Sequence, residues 1–171
     1  LGSGLSQAVG MAIAAKMSAK GGPSTSSGQT KNINIFCLMS DGEQEAGQTW
    51  EAAMLAGKLK LDNLTALIDR NNIQIDGMTE DIMPLEPLRV KYEAFNWHVL
   101  EINGHNFEEI VNAFETAHAV YEKPVVIIAH TIAGKGVDFM EFSYPWHSKT
   151  FKLEEVKGSL NQLRTLGGKI K

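Results

Sequence analysis

The sequence predicts an α/β fold, a mostly parallel sheet flanked by helices on both faces, and three observations carry that expectation. Short continuous apolar runs at 33–39, 64–68, 97–102 and 125–129 have the length and β-branched content of strands buried on both sides. Helical stretches at 47–60, 88–95 and 107–121 stand between them, and this alternation favours parallel pairing, because parallel neighbours need a long crossover. With 171 residues the chain is long enough to bury the core such a sheet requires.

The elements follow in order. "LGSGLSQAVGMAIAAKMSAK" is a Gly-rich turn leading into Ala-rich helix, and "GGPSTSSGQT" at 21–30 is small and polar, a surface loop or spacer with nothing to bury. The first strand carries Cys37, the single cysteine, which has no internal partner and reads as a buried thiol. The helix at 47–60 is expected to be about 21 Å long and to turn Trp50, Met54 and Leu55 to the core. A six-residue strand spans about 20 Å, so this helix returns the chain to the start of the sheet, and the next strand ends level with the first. The division expected is 1–150 for the α/β domain and 151–171 for an amphipathic helical tail.

Composition excludes several partners. A formal charge of −4, with no block of Lys or Arg, argues against nucleic acid or an anionic membrane held by charge. No apolar segment is long enough for a bilayer, and the first residues lack a secretory pattern. The expected compartment is the cytoplasm.

Chemistry concentrates where two strands stop. "CLMSDGEQEAG" closes the first on Asp41 and Gly42, and "LIDRNNIQIDG" closes the second on Asn71, 30 residues later. Both belong to the carboxyl edge of the sheet, where open α/β folds bind ligands. The Asp41 carboxylate, the Asn71 side-chain carbonyl and the Ile73 main-chain carbonyl are hard oxygens suited to magnesium, with calcium able to substitute. Three such oxygens leave an octahedral shell about half open, which magnesium fills with water and phosphate oxygens. A diphosphate is therefore expected, with Gly42 allowing close approach and the helix beginning at Gly47 adding a favourable dipole. At this edge Asp41 is expected to face the ligand and to be dispensable for folding.

The string "SDGEQEAGQTWEAAMLAGKLKLDNLTALIDRNNIQIDG" resembles the thiamine diphosphate motif, and "TWEAAM", "KLDNL" and "RNNIQIDG" resemble transketolase in particular. "LGSGLSQAVGMA", "FNWHVLEINGHN", "KPVVIIAHTIAGKGVDFME" and "WHSK" agree, so the likeness runs from Leu1 to about Lys149. The resemblance implies the diphosphate-side domain of a thiamine diphosphate enzyme. Asp41, Asn71 and the Ile73 carbonyl would hold Mg2+; Gly42 and Asn71 would meet the diphosphate. Leu1 would contact the cofactor and Ile75 would lie by its rings. His147 would face the diphosphate and the reacting carbon as a catalytic residue, with His105 a further candidate if it turns inward. Asp69 would orient the Asn71 loop by hydrogen bonding.

The activity implied is transfer of a two-carbon ketol group from a ketose phosphate to an aldose phosphate. It would need a pyrimidine-binding C-terminal subunit or domain, in a dimer or heterotetramer, and a segment preceding Leu1. Departures from the family pattern are Ser40 for Gly, Ala46 for an interface Glu (with Glu45 one place early), Ser148 after the motif His, and Ala133 where some members place Lys. They keep open a catalytically silent assembly or regulatory subunit. Further alternatives are a split enzyme for an unusual ketose and one subunit of a 2-oxo-acid dehydrogenase.

Overall fold

The computed structural model describes residues 1–21 and 33–164. Four strands, β1 (Ile35–Ser40), β2 (Leu64–Arg70), β5 (His98–Asn103) and β6 (Val125–His130), form one sheet in the spatial order β1-β2-β6-β5, and every pair is parallel. Helices α1 (Gly4–Gly21), α2 (Gly47–Lys58) and α4 (Leu88–Ala94) cover one face over Cys37, Met39, Ala66, Ile68, Val126 and Ile128. Helix α5 (Phe107–Ala119) covers the other, over Leu67, Leu100, Val125 and Ile127. Alternate residues of β2, β5 and β6 thus feed two separate cores, whereas β1 buries Cys37 and Met39 on one face and leaves Phe36 and Leu38 exposed on the other.

Observed elements agree with the expected ones to within two residues at each end. The sequence reading omits a small hairpin, β3 (Ile73–Gln74) with β4 (Gly77–Met78), and the helical turn α3 (Thr79–Ile82) after it. It also omits two 3-10 turns, Gly42–Glu45 and Tyr144–His147. Such pieces are too short for periodicity to register. The tail forms helix α6 (Leu153–Arg164). The stretch expected as a loop at 21–30 falls outside the described residues beyond Gly21, which ends α1. Among the described residues no helix is long and apolar enough to cross a membrane.

The face of α2 differs from expectation. Met54 and Leu55 are exposed, Trp50 is only partly buried, and the buried positions are Thr49, Ala52, Ala53, Ala56 and Gly57. Close approach explains the choice of small residues. A Cβ added at Gly57 would lie 1.8 Å from the Phe95 carbonyl oxygen, and α1 meets α2 through its own Ala8 and Ala12. Larger side chains at 54 and 55 are therefore turned outward. The rim of this contact is aromatic: the Tyr92 ring lies 5.2 Å from Trp50 and 5.4 Å from Trp97. The Trp97 indole N–H donates to the Ala53 carbonyl at 2.9 Å, and the Tyr92 hydroxyl donates to Gln44 Oε1 at 2.7 Å. Cys37 is buried as expected, and burial, then the nearby Glu43 charge, pushes its thiol above the ordinary pKa.

Gly57→Ala should destabilise the domain by about 3 kcal/mol, since the methyl meets backbone that cannot rotate away. Urea unfolding monitored by tryptophan fluorescence measures this, and an unchanged midpoint would contradict the packing described.

Candidate functional site

Register sets the geometry of the site. Ser40 pairs with Asp69, so β1 and β2 end side by side and deliver Asp41 against the 70–72 segment. The Asp41 carboxylate is 1 % exposed. Its Oδ2 accepts from Arg70 Nη1 at 3.2 Å, the Asn72 N–H at 2.8 Å and Thr79 Oγ1 at 3.3 Å. Its Oδ1 accepts from the Gly42 N–H at 2.8 Å. The expectation of a dispensable Asp41 at an open edge is thereby corrected: the residue belongs to the buried framework and pairs a buried guanidinium. Asn72 sits at φ 66, a left-handed conformation that asparagine tolerates, and this bend turns its N–H to Asp41.

Arg70, the last residue of β2, is 2 % exposed and also binds Glu80 at 2.6 Å and Glu86 at 3.1 Å through Nη2. Burial works against its charge, but the Glu86 hydrogen bond and the Asp41 and Glu86 charges outweigh it and hold the guanidinium above its ordinary pKa. For Glu80, burial is likewise outweighed. N–H groups of Leu85 and Glu86, with Arg70, keep its carboxyl below the usual range. Sequence reasoning missed this knot, because nothing in the order of residues says that β2 ends on an inward-facing arginine.

Asn71 and Ile73 lie on the same loop. Asn71 Nδ2 donates to Asp69 Oδ2 at 2.9 Å, and its Oδ1 accepts from the Ile73 N–H at 3.0 Å. Asp69 also accepts from Thr131 Oγ1. The inferred role of Asp69 is thus matched by a direct bond to Asn71, and Thr131 ties both to the end of β6. Ile75 occupies the tip of the β3–β4 hairpin and is exposed, with Gln74 beside it. A Cβ at Gly42 would stand 3.2 Å from Gln74 Oε1, so glycine keeps the gap between turn and hairpin open without displacing the Gln74 side chain.

The Ser40 departure has a local explanation. Ser40 Oγ accepts from the Glu43 N–H at 3.3 Å, and Glu43 Oε2 accepts from the Ser40 N–H at 2.9 Å. This is a reciprocal capping box, and the spacing Ser-x-x-Glu was its available sequence signal. The other Glu43 oxygen, Oε1, accepts from the Gly2 N–H at 3.0 Å. Leu1 is therefore carried beside the Asp41–Gly42 turn, although its own side chain is fully exposed. Gly2 adopts φ 81, and a Cβ there would lie 2.5 Å from that of Ala46; a small residue at 46 suits this close approach.

His147 ends the Tyr144–His147 turn, which packs against β3 and β4, and its ring is exposed. Neighbours hold the turn: Trp146 lies 5.0 Å from Phe139 and 5.5 Å from Phe151, with Lys149 Nζ 3.8 Å over its ring. His105 does turn inward, but its Nε2 accepts from the Ile132 N–H at 2.8 Å. That lone pair is committed to anchoring the 131–136 loop, and the atom is not free to take a proton from a substrate. His130 pairs with Glu101 at 3.0 Å on the surface.

The residues present fit a magnesium diphosphate. Asp41 Oδ1 keeps lone-pair capacity beyond its one N–H partner, and the Asn71 amide is fixed through Asp69 and Ile73. Among the described residues no three His, Cys, Asp or Glu side chains gather as a metal cluster; the set expected from the sequence is one carboxylate, one amide and one main-chain carbonyl.

Residues 1–166 match the family model described as transketolase, thiamine diphosphate binding domain. The chain is 44% identical over 167 residues to the 6-deoxy-6-sulfo-D-fructose transketolase subunit of Clostridium sp. (strain MSTE9), covering 98% of this chain and 57% of that protein. It is 42% identical over 163 residues to an apulose-4-phosphate transketolase subunit of Phocaeicola vulgatus, covering 95% and 54%. It thus spans little more than half the length of these relatives. The crystal structure of transketolase from Campylobacter jejuni superposes with a TM-score of 0.83 at 37% identity, over 95% of this chain and 25% of that one.

Glu43→Ala should cost about 1 kcal/mol by breaking the capping box, while Ser40→Gly costs less because glycine is tolerated at a helix cap. Thermal melts of both variants measure the difference, and equal losses would contradict the additional tie that Glu43 makes to Gly2.

Proposed function

Because this chain belongs to the transketolase thiamine diphosphate binding family, we propose that it is the diphosphate-side subunit of a split transketolase. It would transfer a two-carbon ketol group from a ketose phosphate to an aldose phosphate. The observation that carries the reading is the meeting of Asp41 with the Asn71–Ile73 loop at one strand edge, joined by the bond from Asn72 N–H to Asp41. Mg2+ would sit on Asp41 Oδ1, Asn71 Oδ1 and the Ile73 carbonyl, and Gly42 would give its backbone to the diphosphate. Leu1 and Ile75 would flank the cofactor. Thiamine diphosphate, when bound, supplies a nucleophilic carbon and an electron sink for the two-carbon unit.

What the chain itself contributes is binding, orientation and one proton site. The Thr131–Asp69–Asn71 bonds hold the metal loop rigid, and the Trp146 stack holds His147 at the same edge, where its imidazole would be offered to the substrate as a proton donor or acceptor. His105 is a positioning residue for the 131–136 loop. The names of the two relatives concern ketose derivatives carrying an anionic group, which supports a substrate of that class. Both relatives are named as subunits, which supports a partner bearing the pyrimidine-binding half, in a dimer or heterotetramer. A cytoplasmic setting accords with the free buried Cys37.

A catalytically silent assembly subunit is the second reading, favoured by Ala46 and Ser148. Calorimetry of the complex with the partner, titrated with thiamine diphosphate with and without Mg2+, separates the two. Metal-dependent binding supports the proposal, and its absence supports the silent reading. Asp41→Asn is the informative variant, since the amide oxygen still accepts from Arg70, the Asn72 N–H and Thr79, whereas alanine would leave these buried donors without an acceptor. The asparagine variant should lose Mg2+-dependent cofactor binding while keeping its circular dichroism spectrum; wild-type affinity in a folded Asp41→Asn protein would refute the ligand assignment.

A further inference from the structure

We propose that Arg70 is a positioning residue for Asp41, turning its Oδ1 toward the metal, and that Glu80 and Glu86 are the counter-ions that keep the guanidinium from competing for that carboxylate. The inference rests on the reading of Asp41 as a metal ligand.

The two oxygens of Asp41 are treated differently. Oδ2 takes three donors, from Arg70, Asn72 and Thr79, whereas Oδ1 takes only the Gly42 N–H. A carboxylate oxygen offers about two lone-pair sites, so Oδ2 is saturated and Oδ1 is the oxygen left for a cation. Arg70 sets this orientation from a buried position that it cannot leave without exposing a charge to the apolar interior.

A guanidinium beside a metal-binding carboxylate would ordinarily weaken the site, because it supplies the positive charge that the metal should supply. Here that charge is met elsewhere. Glu80 lies at 2.6 Å and Glu86 at 3.1 Å from Nη2, while Asp41 lies at 3.2 Å from Nη1. One cation faces three carboxylates, a local charge of −2 before any metal arrives. The glutamates are themselves held, Glu80 Oε1 by the Leu85 N–H at 3.1 Å and Glu86 Oε2 by the Leu88 N–H at 2.9 Å. The arrangement needs the planar fork of arginine: one nitrogen is given to Asp41 and another to the glutamates at the same time, which a single ammonium does not reproduce.

The test is a Mg2+ titration at fixed thiamine diphosphate, followed by calorimetry, on the complex with the partner. Wild type is measured first; absence of Mg2+-dependent binding there would overturn the proposed function and this inference with it. Given wild-type binding, Arg70→Met and Arg70→Lys should each raise the half-saturating Mg2+ concentration by about 10- to 100-fold, the range for partners that orient a metal ligand. A purely structural arginine would lower the melting temperature and leave that concentration unchanged in folded protein. Recovery of wild-type half-saturation by lysine would overturn the positioning role in favour of charge alone. If Arg70→Met does not fold, the double variant Glu80→Gln/Glu86→Gln, altered at two half-exposed side chains, should shift half-saturation in the same direction. An unchanged value in that variant would overturn the counter-ion role.

Discussion

The ion pair between Arg70 and Asp41, closed over the tips of β1 and β2, is the constraint on which the site depends. A buried arginine is costly to desolvate and stable only when its hydrogen bonds are met. Meeting them here draws together four pieces of chain: the end of β1, the end of β2, the α3 turn through Thr79 and Glu80, and the 85–88 segment through Glu86. The β3–β4 hairpin lies between these pieces in the chain, with Ile73 buried at its base and Ile75 exposed at its tip. A site that reads in the sequence as two separated motifs is thus one polar knot in space.

The knot works because the sheet beneath it is rigid and in register. A slip of β1 by one residue would exchange its buried Cys37 and Met39 for the exposed Phe36 and Leu38, so Ser40 opposite Asp69 is enforced by Cys37 and Met39 beside Ala66 and Ile68, while β2 itself is held on both faces, with Leu67 and Ile127 on the other side. The close packing of α2 through Ala53, Ala56 and Gly57 fixes the helix that follows the Asp41 turn. Apolar packing sets where the strand ends lie, and hydrogen bonding sets how their side chains face.

This separation explains what was legible in the sequence. Strand and helix positions followed from apolar periodicity, and the edge carrying Asp41 and Asn71 followed from element lengths. The burial of Asp41, the three partners of Arg70 and the outward turn of Met54 and Leu55 depend on contacts between segments distant in the chain, which no local pattern encodes. The capping box is intermediate: Ser40 and Glu43 satisfy a local rule, but their position within a motif that draws the eye to Asp41 and Gly42 hides it. His105 shows the opposite error, where a residue type suggests proton chemistry and the Ile132 N–H has already claimed the atom.

The Ser40 substitution gains a physical meaning from this local rule. Glycine at position 40 would leave the turn that carries Asp41 free, and ordering would then come from neighbours. Serine supplies an oxygen to the Glu43 N–H, and Glu43 returns one carboxylate oxygen to the Ser40 N–H while giving the other to Gly2. The turn that carries Asp41 is thereby ordered from within and tied to the Leu1 segment by the same side chain. Ser40 and Glu43 consequently act as one unit. Removing the Glu43 carboxylate would lose half of the cap and the tie to Gly2, whereas a Glu at 43 opposite Gly at 40 would keep that tie and lose the other half of the cap. The departure from Gly-Asp-Gly is thus a different route to the same rigid aspartate, and on its own it gives no reason to read the site as inactive.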